Sequence, residues 1–229
     1  MFRTIVFSAA GAGLAVCLAV SALQAVTTEP LILHAEEFEG QAPAVHDAMP
    51  APNVSDRQQG AWAPSDGFER TAYTALANLV VGVSVSLMLL GLMVLKGDPI
   101  DARRGLLWGA AGFVAASLLP SLGLPPELPG TPAAEIVSRQ LWWLATACAS
   151  AGGIALIVLL RQWYWIAAGL VLIVAPHLIG APAPPSHDVS YPGALAGEFV
   201  IASLIVSAAL WGLAGLVSGW LHRRLSAAA

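Results

Sequence analysis

Long runs of apolar residues without a single charged side chain limit what this sequence can fold into. A helix that crosses a lipid bilayer needs about 20 mostly apolar residues in succession. The sequence contains six runs of this kind, at residues 5–26, 71–95, 105–124, 140–160, 163–181 and 199–221. We therefore predict an all-α, polytopic membrane helix bundle of about six transmembrane helices, formed as one integral-membrane domain over residues 1–229.

The composition excludes the main alternatives to a membrane protein. Of the 229 residues, 10% are charged and 57% are hydrophobic, and the mean hydropathy is +0.74. Soluble domains carry about a quarter charged residues, which excludes both an ordinary soluble enzyme and a disordered chain. The net charge of −4 and the lack of a basic patch argue against nucleic-acid binding.

The first apolar run has two interpretations, a retained transmembrane helix and a cleaved signal peptide. One basic residue, Arg3, precedes it, as in a signal peptide. The run is longer than the roughly 7–15 apolar residues of a signal sequence, and the residues at 22–25 match a cleavage site poorly. We predict a retained span; cleavage would leave five.

The basic residues predict which side of the membrane each helix end faces. With the N-terminus in the cytoplasm, seven of the ten basic residues fall in cytoplasmic segments and three in segments on the other side. The seven are Arg3, Lys96, Arg103, Arg104, Arg161, Arg223 and Arg224. This distribution follows the positive-inside rule and predicts that both termini are cytoplasmic.

Prolines indicate a weak threefold repeat. Pro30, Pro120 and Pro176 each lie near the outer end of an odd-numbered span and are followed by Leu or by one residue and Leu. The pattern predicts three helical hairpins, a plan that recurs among transporters. The alternative is that the prolines only end helices at the membrane interface.

Residues 27–70 form the one long segment between predicted spans, and we expect an acidic, proline-containing extracytoplasmic loop. Eight acidic residues against two arginines give the segment a net charge of −6, which raises the local cation concentration. If helix continues past the first span, His34 and Glu37 share a face, with Glu36 beside them. Imidazole and carboxylate together suit a borderline divalent metal such as cobalt, nickel or zinc. The alternative is a solvated acidic cap.

Two further polar residues lie close to the ends of apolar runs. His177 follows Pro176 near the outer end of the fifth span, and Glu198 begins the sixth. Ionisable residues at such depth usually face a cavity or the bundle interior, so we expect the two to approach as a second imidazole–carboxylate pair. Asn78 lies within the second span, where helix-packing hydrogen bonds are the favoured role.

Sequence motifs for catalysis and for resident cofactors are missing. The chain has no phosphate-binding loop, no H-E-x-x-H and no G-x-S-x-G, so we expect no catalytic residues and no permanently bound cofactor. Cys17 and Cys148 lie inside apolar runs without Cys or His at metal-binding spacing, which favours two small buried hydrophobic residues.

Several segments together resemble the CbtA family, whose members are predicted cobalt transporter subunits. They extend over nearly the whole chain and are residues 30–33, 62–71, 77–78, 101–109, 123–130, 139–143 and 176–182, which read PLIL, WAPSDGFERT, AN, DARRGLLWG, GLPPELPG, RQLWW and PHLIGAP. The resemblance implies a multi-pass protein of the bacterial cytoplasmic membrane that takes up cobalt(II) for cobalamin synthesis. It also implies a partner, a small single-span, histidine-bearing subunit of the CbtB type.

The resemblance adds candidate residues whose roles it does not define. In this sequence they are Glu36, Glu37, Asp66, Glu69, Arg70, Asn78, Glu127, Arg139, Gln140 and His177. The residues alone predict only a divalent metal; the choice of cobalt comes from the resemblance. The alternative function is a non-transporting membrane scaffold that assembles or presents a small metal-binding partner.

Overall fold

A computed structural model describes residues 2–41, 64–65, 67–97 and 99–228 of the chain. Every regular element in these residues is helical, which confirms the predicted all-α class. We number seven helices: α1 (Phe2–Val26), α2 (Thr28–Gln41), α3 (Phe68–Lys96), α4 (residues 102–121), α5 (Ile136–Leu160), α6 (Trp163–Ile179) and α7 (Gly193–Ala227). Two of them contain one π-helical turn, Val114–Leu118 within α4 and Leu156–Leu160 at the end of α5.

Four helices are long and apolar enough to cross a membrane, namely α1, α3, α5 and α7. Each contains one of the predicted spans and extends beyond it. The other two predicted spans correspond to α4, whose first turn carries Arg103 and Arg104, and to α6, an apolar helix of 17 residues. By length and composition the described part of the chain thus has four candidate spans, two fewer than the sequence predicts.

Local sequence explains where several helices begin and end. The carboxylate of Asp101 accepts the backbone N–H of Arg104 at 3.0 Å and so caps the start of α4. Gly97 ends α3 in the left-handed conformation, φ 77°, and donates its N–H to the carbonyls of Met93 and Val94. Arg161 ends α5 with φ 58°, and it is the one non-glycine residue with positive φ among those described.

A central group of helices, α1, α3, α4 and α7, forms the core of the bundle. Helix α7 packs along α1 and α4 and also contacts α3, and α1 packs along α3. Buried Val16, Leu89 and Val206 meet at the centre of this group. Helices α5 and α6 form a peripheral hairpin, and α5 joins the rest of the bundle mainly through the π turn of α4.

Glycines allow α4 and α7 to touch backbone to backbone. A Cβ atom added to Gly105 would lie 2.0 Å from the carbonyl oxygen of Gly215, and one added to Gly219 would lie 2.3 Å from that of Asp101. Gly215 and Gly219 form a GxxxG pattern, which is typical of close helix packing in membranes. No larger side chain fits these positions without separating the helices.

Helix α2 covers one end of the bundle, which we call the α2 end. Its buried Ala35 packs against Leu128 of the connection before α5 and Tyr191 of the connection before α7. It also packs against Leu195 and Phe199 of α7. Helix α2 occupies the first part of the segment predicted as a loop, and it supplies the helical face predicted for His34 and Glu37. Residues 42–63 and 66 of that segment lie outside the described residues.

The three predicted hairpins are not equivalent in the structure. Helices α1 and α3 pack together, and α4 meets α5 through its π turn. The third pair is wrong, because α6 packs on α5 and shares no comparable interface with α7 in the described part of the chain. The physical reason is a glycine contact: a Cβ on either Gly153 or Gly169 would lie 2.6 Å from the other's carbonyl oxygen, which holds α6 against α5.

Replacing Gly105 by alanine is expected to destabilise the bundle, because the new methyl group overlaps the Gly215 carbonyl. Overpacking of this kind costs about 1–3 kcal/mol. Gly91→Ala is the matched control, since a Cβ there has nothing within 4 Å and alanine is the better helix former. Thermal unfolding in detergent should show a lower midpoint for Gly105→Ala alone; equal midpoints for the two variants would contradict the proposed contact.

Candidate functional site

The acidic helix α2 presents two faces to different surroundings. His34 and Glu37 are exposed on one face, where the His34 ring lies 5.3 Å from the Phe38 ring, centroid to centroid. Glu36 points toward α3 and forms an ion pair with Arg70, with 3.0 Å between Oε1 and Nη2. His34 and Glu37 are therefore accessible to a cation, whereas Glu36 ties α2 to the beginning of α3.

The start of α3 is organised by its own polar residues. The backbone N–H of Ser65 donates to Glu69 Oε2 at 3.0 Å, and the Ser65 hydroxyl donates to the same oxygen. Arg70, the next residue, reaches back to Glu36 through two guanidinium nitrogens. These contacts give Glu69 and Arg70 a structural role; Asp66, predicted with them, lies outside the described residues.

Asn78 joins α1 to α3 inside the bundle. Its side-chain amide donates to Ser21 Oγ at 2.9 Å and to Gln24 Oε1 at 2.6 Å. Asn78 is 8% exposed, so its amide cannot hydrogen-bond to water. The two bonds to α1 satisfy the amide instead. The helix-packing role predicted for Asn78 is confirmed.

The connection before α5 carries a second ion pair. Arg139 Nη2 lies 2.6 Å from Glu127 Oε2, and both side chains are about one-quarter to one-third exposed. Gln140 is exposed beside this pair, at an open groove that is otherwise lined mainly by apolar residues. The pair fixes the loop 122–135 onto the first turn of α5.

His177 lies in the α5–α6 interface. Its ring meets the Trp142 ring edge to face, with centroids 5.8 Å apart and planes at 71°. His177 Nε2 and Trp142 Nε1 are both buried, and no residue in the described part of the chain gives either atom a hydrogen bond. The expectation that His177 faces an interior rather than lipid agrees with this position.

No hydrogen bond or ion pair is present between Glu198 and His177, the pair that the sequence predicts, in the described part of the chain. Glu198 is exposed on α7, while His177 is held on α6 by the contact of α6 with α5. Because α6 packs on α5 and has no comparable interface with α7, the predicted imidazole–carboxylate pair stays a prediction. More widely, no group of three His, Cys, Asp or Glu side chains in the described ranges is placed to hold a metal ion.

Sequence reasoning missed two residues on the same face of α5. Thr146 and Ser150 are fully buried, and like Trp142 and His177 they have side-chain atoms without a hydrogen-bond partner in the described residues. The signal was present in the sequence: two hydroxyl residues four apart in an apolar helix share one face.

Comparison with known proteins gives one finding. A family model described as "Probable cobalt transporter subunit (CbtA)" matches residues 2–223, nearly the whole chain. No curated protein and no solved structure matches the chain.

Removal of the Asn78 side chain is expected to loosen the α1–α3 contact. Hydrogen bonds between membrane helices contribute about 0.6–2 kcal/mol, so Asn78→Ala should lower the unfolding free energy in detergent by that amount. Ser84→Ala is the control on the same helix, because the Ser84 hydroxyl donates only to the carbonyl of Val80 within α3. Equal losses in the two variants would refute the bridging role of Asn78.

Glu135 provides a pH-dependent stabilisation of α5. The hydroxyl of Ser138 and the backbone N–H groups of Val137 and Ser138 donate to this exposed carboxylate and lower its pKa from 4.5. A lowered pKa in the folded state means that the stabilisation is complete above pH 4.5 and is lost as the pH falls through the lower, folded-state pKa. Wild type should therefore be more stable than Glu135→Gln at neutral pH, and the difference should shrink in acid. A pH-independent difference would contradict the capping role of the charge.

Proposed function

The chain belongs to the CbtA family, and on that premise we propose that it is the membrane subunit of a transporter that takes up cobalt(II), in support of cobalamin synthesis. The match to residues 2–223 is the observation that carries this proposal. A transporter subunit works with other chains, and the proposed partner is the small single-span CbtB-type subunit. The proposed role requires no catalytic residue and no resident cofactor.

We propose six membrane crossings, with α4 and α6 spanning beside the four longer helices. The α2 end then faces outward, and both termini are cytoplasmic. The positions of the basic residues support this orientation. The N-terminus, the α3–α4 and α5–α6 connections and the C-terminus all lie at the end opposite α2, and they carry seven of the ten basic residues. This is the charge distribution of cytoplasmic segments.

The α2 end supplies the electrostatic attraction for a cation. Its described acidic residues are Glu29, Glu36, Glu37, Glu69, Glu127, Glu135, Asp188 and Glu198. Arg70 and Arg139 each pair with one of these carboxylates, which leaves the surface negative. An acidic mouth concentrates divalent cations before any of them is bound.

His34 and Glu37 form the proposed first contact for the metal. One imidazole and one carboxylate suit cobalt(II), and a site with only two protein ligands leaves the ion most of its water. Such a site binds weakly and releases quickly, as an entry site requires. An inside-negative potential of about 100 mV then contributes about 4.6 kcal/mol to the inward movement of a doubly charged ion.

A second candidate function is a scaffold that presents the small partner. It is favoured by one observation, that no three metal-binding side chains converge among the described residues. In that case the partner would carry the metal site and this chain would hold the partner in the membrane.

Cobalt uptake into proteoliposomes of the full chain separates the two functions. We expect entry of cobalt(II) that increases when the inside is made negative, measured against nickel(II) and zinc(II), with and without the small partner. If uptake appears only with the partner, this chain is a transporter subunit that does not form a complete route by itself. The absence of cobalt flux under all of these conditions would contradict the transport proposal and leave the scaffold.

Substitutions at the first contact should change the apparent affinity for cobalt. His34→Ala or Glu37→Gln is expected to raise the concentration for half-maximal uptake about tenfold or more, because either change removes one of two protein ligands. His187→Ala is the matched control, since His187 is exposed in the α6–α7 connection at the same end of the bundle. Equal effects of all three substitutions would show that only the local charge and not the His34–Glu37 pair matters.

A further inference from the structure

Four buried polar atoms on α5 and α6 lack a hydrogen-bond partner among the described residues. They are Trp142 Nε1, Thr146 Oγ1 and Ser150 Oγ on α5 and His177 Nε2 on α6. We call these four groups the polar file. In a helix that faces hydrocarbon, each unsatisfied polar group costs several kcal/mol, so four together require an explanation.

The four groups follow one line. Residues 142, 146 and 150 are spaced by four and share one face of α5, so successive side chains lie about 6 Å apart along the helix. Gly153 continues that face and touches Gly169 of α6, while His177, eight residues after Gly169, meets the Trp142 ring. The polar file therefore extends for about 12 Å, from the α2 end to the middle of α5.

Other buried hydroxyl groups of the bundle show that the lack of partners is specific to this interface. Ser8, Ser86 and Ser218 are, like Thr146 and Ser150, 0% exposed. Each of these three donates its hydroxyl to a backbone carbonyl, of Thr4, Ala214 and Gly215 respectively. The helices thus satisfy buried serines elsewhere but do not do so along the polar file.

Backbone irregularities adjoin the same interface. Pro176 has no N–H, so the helical hydrogen bond to the carbonyl of Leu172 is not made. The π turn of α4, followed directly by Leu119 and Pro120, packs on α5. Irregular backbone at membrane depth is tolerated where it is covered by protein or lines a hydrated path.

The mixture of donors and acceptors identifies the ligand class. An indole N–H can only donate, hydroxyls donate and accept, and a neutral imidazole does one at each nitrogen. A bare cation needs several acceptors and is repelled by the indole N–H. Water matches every group in the set.

We infer that the polar file is a hydrated path through which a divalent cation moves with water molecules still bound, from the α2 end to the middle of the membrane. The cation in this inference rests on the proposed function, whereas the hydration of the file does not. The path ends beyond Ser150, where the backbones of Gly153 and Gly169 touch and leave no space between the helices. In the structure the polar file itself is closed, since Thr146 and Ser150 are 0% exposed, so the entry of water requires α5 and α6 to separate along it.

Thiol labelling tests the hydration directly, because thiols react as thiolates, which need water. Ser150→Cys or Thr146→Cys is introduced into the full chain with Cys17→Ala and Cys148→Ala, and the proteoliposomes receive a charged, membrane-impermeant thiol reagent. The control is native Cys148 in the Cys17→Ala chain, since it lies on α5 between the two test positions but on the exposed side of the helix.

We expect the two file positions to react about tenfold or more faster than Cys148, and cobalt(II) to slow their reaction severalfold. Reaction at the Cys148 rate would overturn the hydrated path. If the two file positions react fast but cobalt(II) does not slow their reaction, the inference that the cation moves through the polar file would be overturned.

Cobalt uptake by matched variants distinguishes a role of the polar file in transport from a role in stability. Thr146→Val and Ser150→Ala remove a hydroxyl with little change in volume, and each is expected to lower cobalt uptake about tenfold while leaving the unfolding midpoint unchanged or higher. Ser86→Ala is the control, because that serine is equally buried but bonded to Ala214. Normal uptake in the Thr146 and Ser150 variants, with wild type active, would overturn the inference and leave the proposed function intact. A wild type without flux would count against the proposed function, while labelling would still decide whether the file is hydrated.

Discussion

The fold depends on one constraint: in a hydrocarbon environment, polar groups must be satisfied within the protein. All regular structure in the described chain is helical, because helices satisfy their backbone internally. The same constraint explains why Asn78 forms hydrogen bonds to Ser21 and Gln24. It also explains why buried serines donate their hydroxyl groups to backbone carbonyls. Against that background, α5 and α6 are the exception among the described residues, because four buried polar atoms on these two helices have no hydrogen-bond partner.

Glycine contacts determine how the helices divide into two groups. The approach of Gly105 to Gly215 joins α4 to α7 and builds the core with α1 and α3, while the approach of Gly153 to Gly169 joins α6 to α5. Each contact excludes any side chain larger than hydrogen, so each specifies its partner helix strongly. The result is a compact group of four helices with a hairpin attached through the π turn of α4.

Much of the architecture was predictable from the sequence because it depends on local patterns. Uncharged apolar runs located all of the helices except α2, and the polar Asn78 within an apolar run indicated a bond between helices. The pairing of α6 with α5 was not predictable, since it depends on Gly153 and Gly169 being opposite each other across a turn. That one pairing places His177 beside Trp142 rather than Glu198, and it also creates the interface that sequence reasoning missed.

The lengths of the helices have a consequence for the surrounding lipid. Helix α6 has 17 residues and is about 26 Å long, whereas the hydrocarbon layer is about 30 Å thick. Helix α7, with 35 residues, is about 52 Å long and projects well beyond that layer. If α6 crosses the membrane, the mismatch of about 4 Å has to be met by local thinning of the bilayer or by flanking side chains that reach back to the interface. The free energy of the hairpin in the membrane then depends on the thickness of the surrounding bilayer. Bilayers of different thickness would therefore favour different tilts of the hairpin against the core.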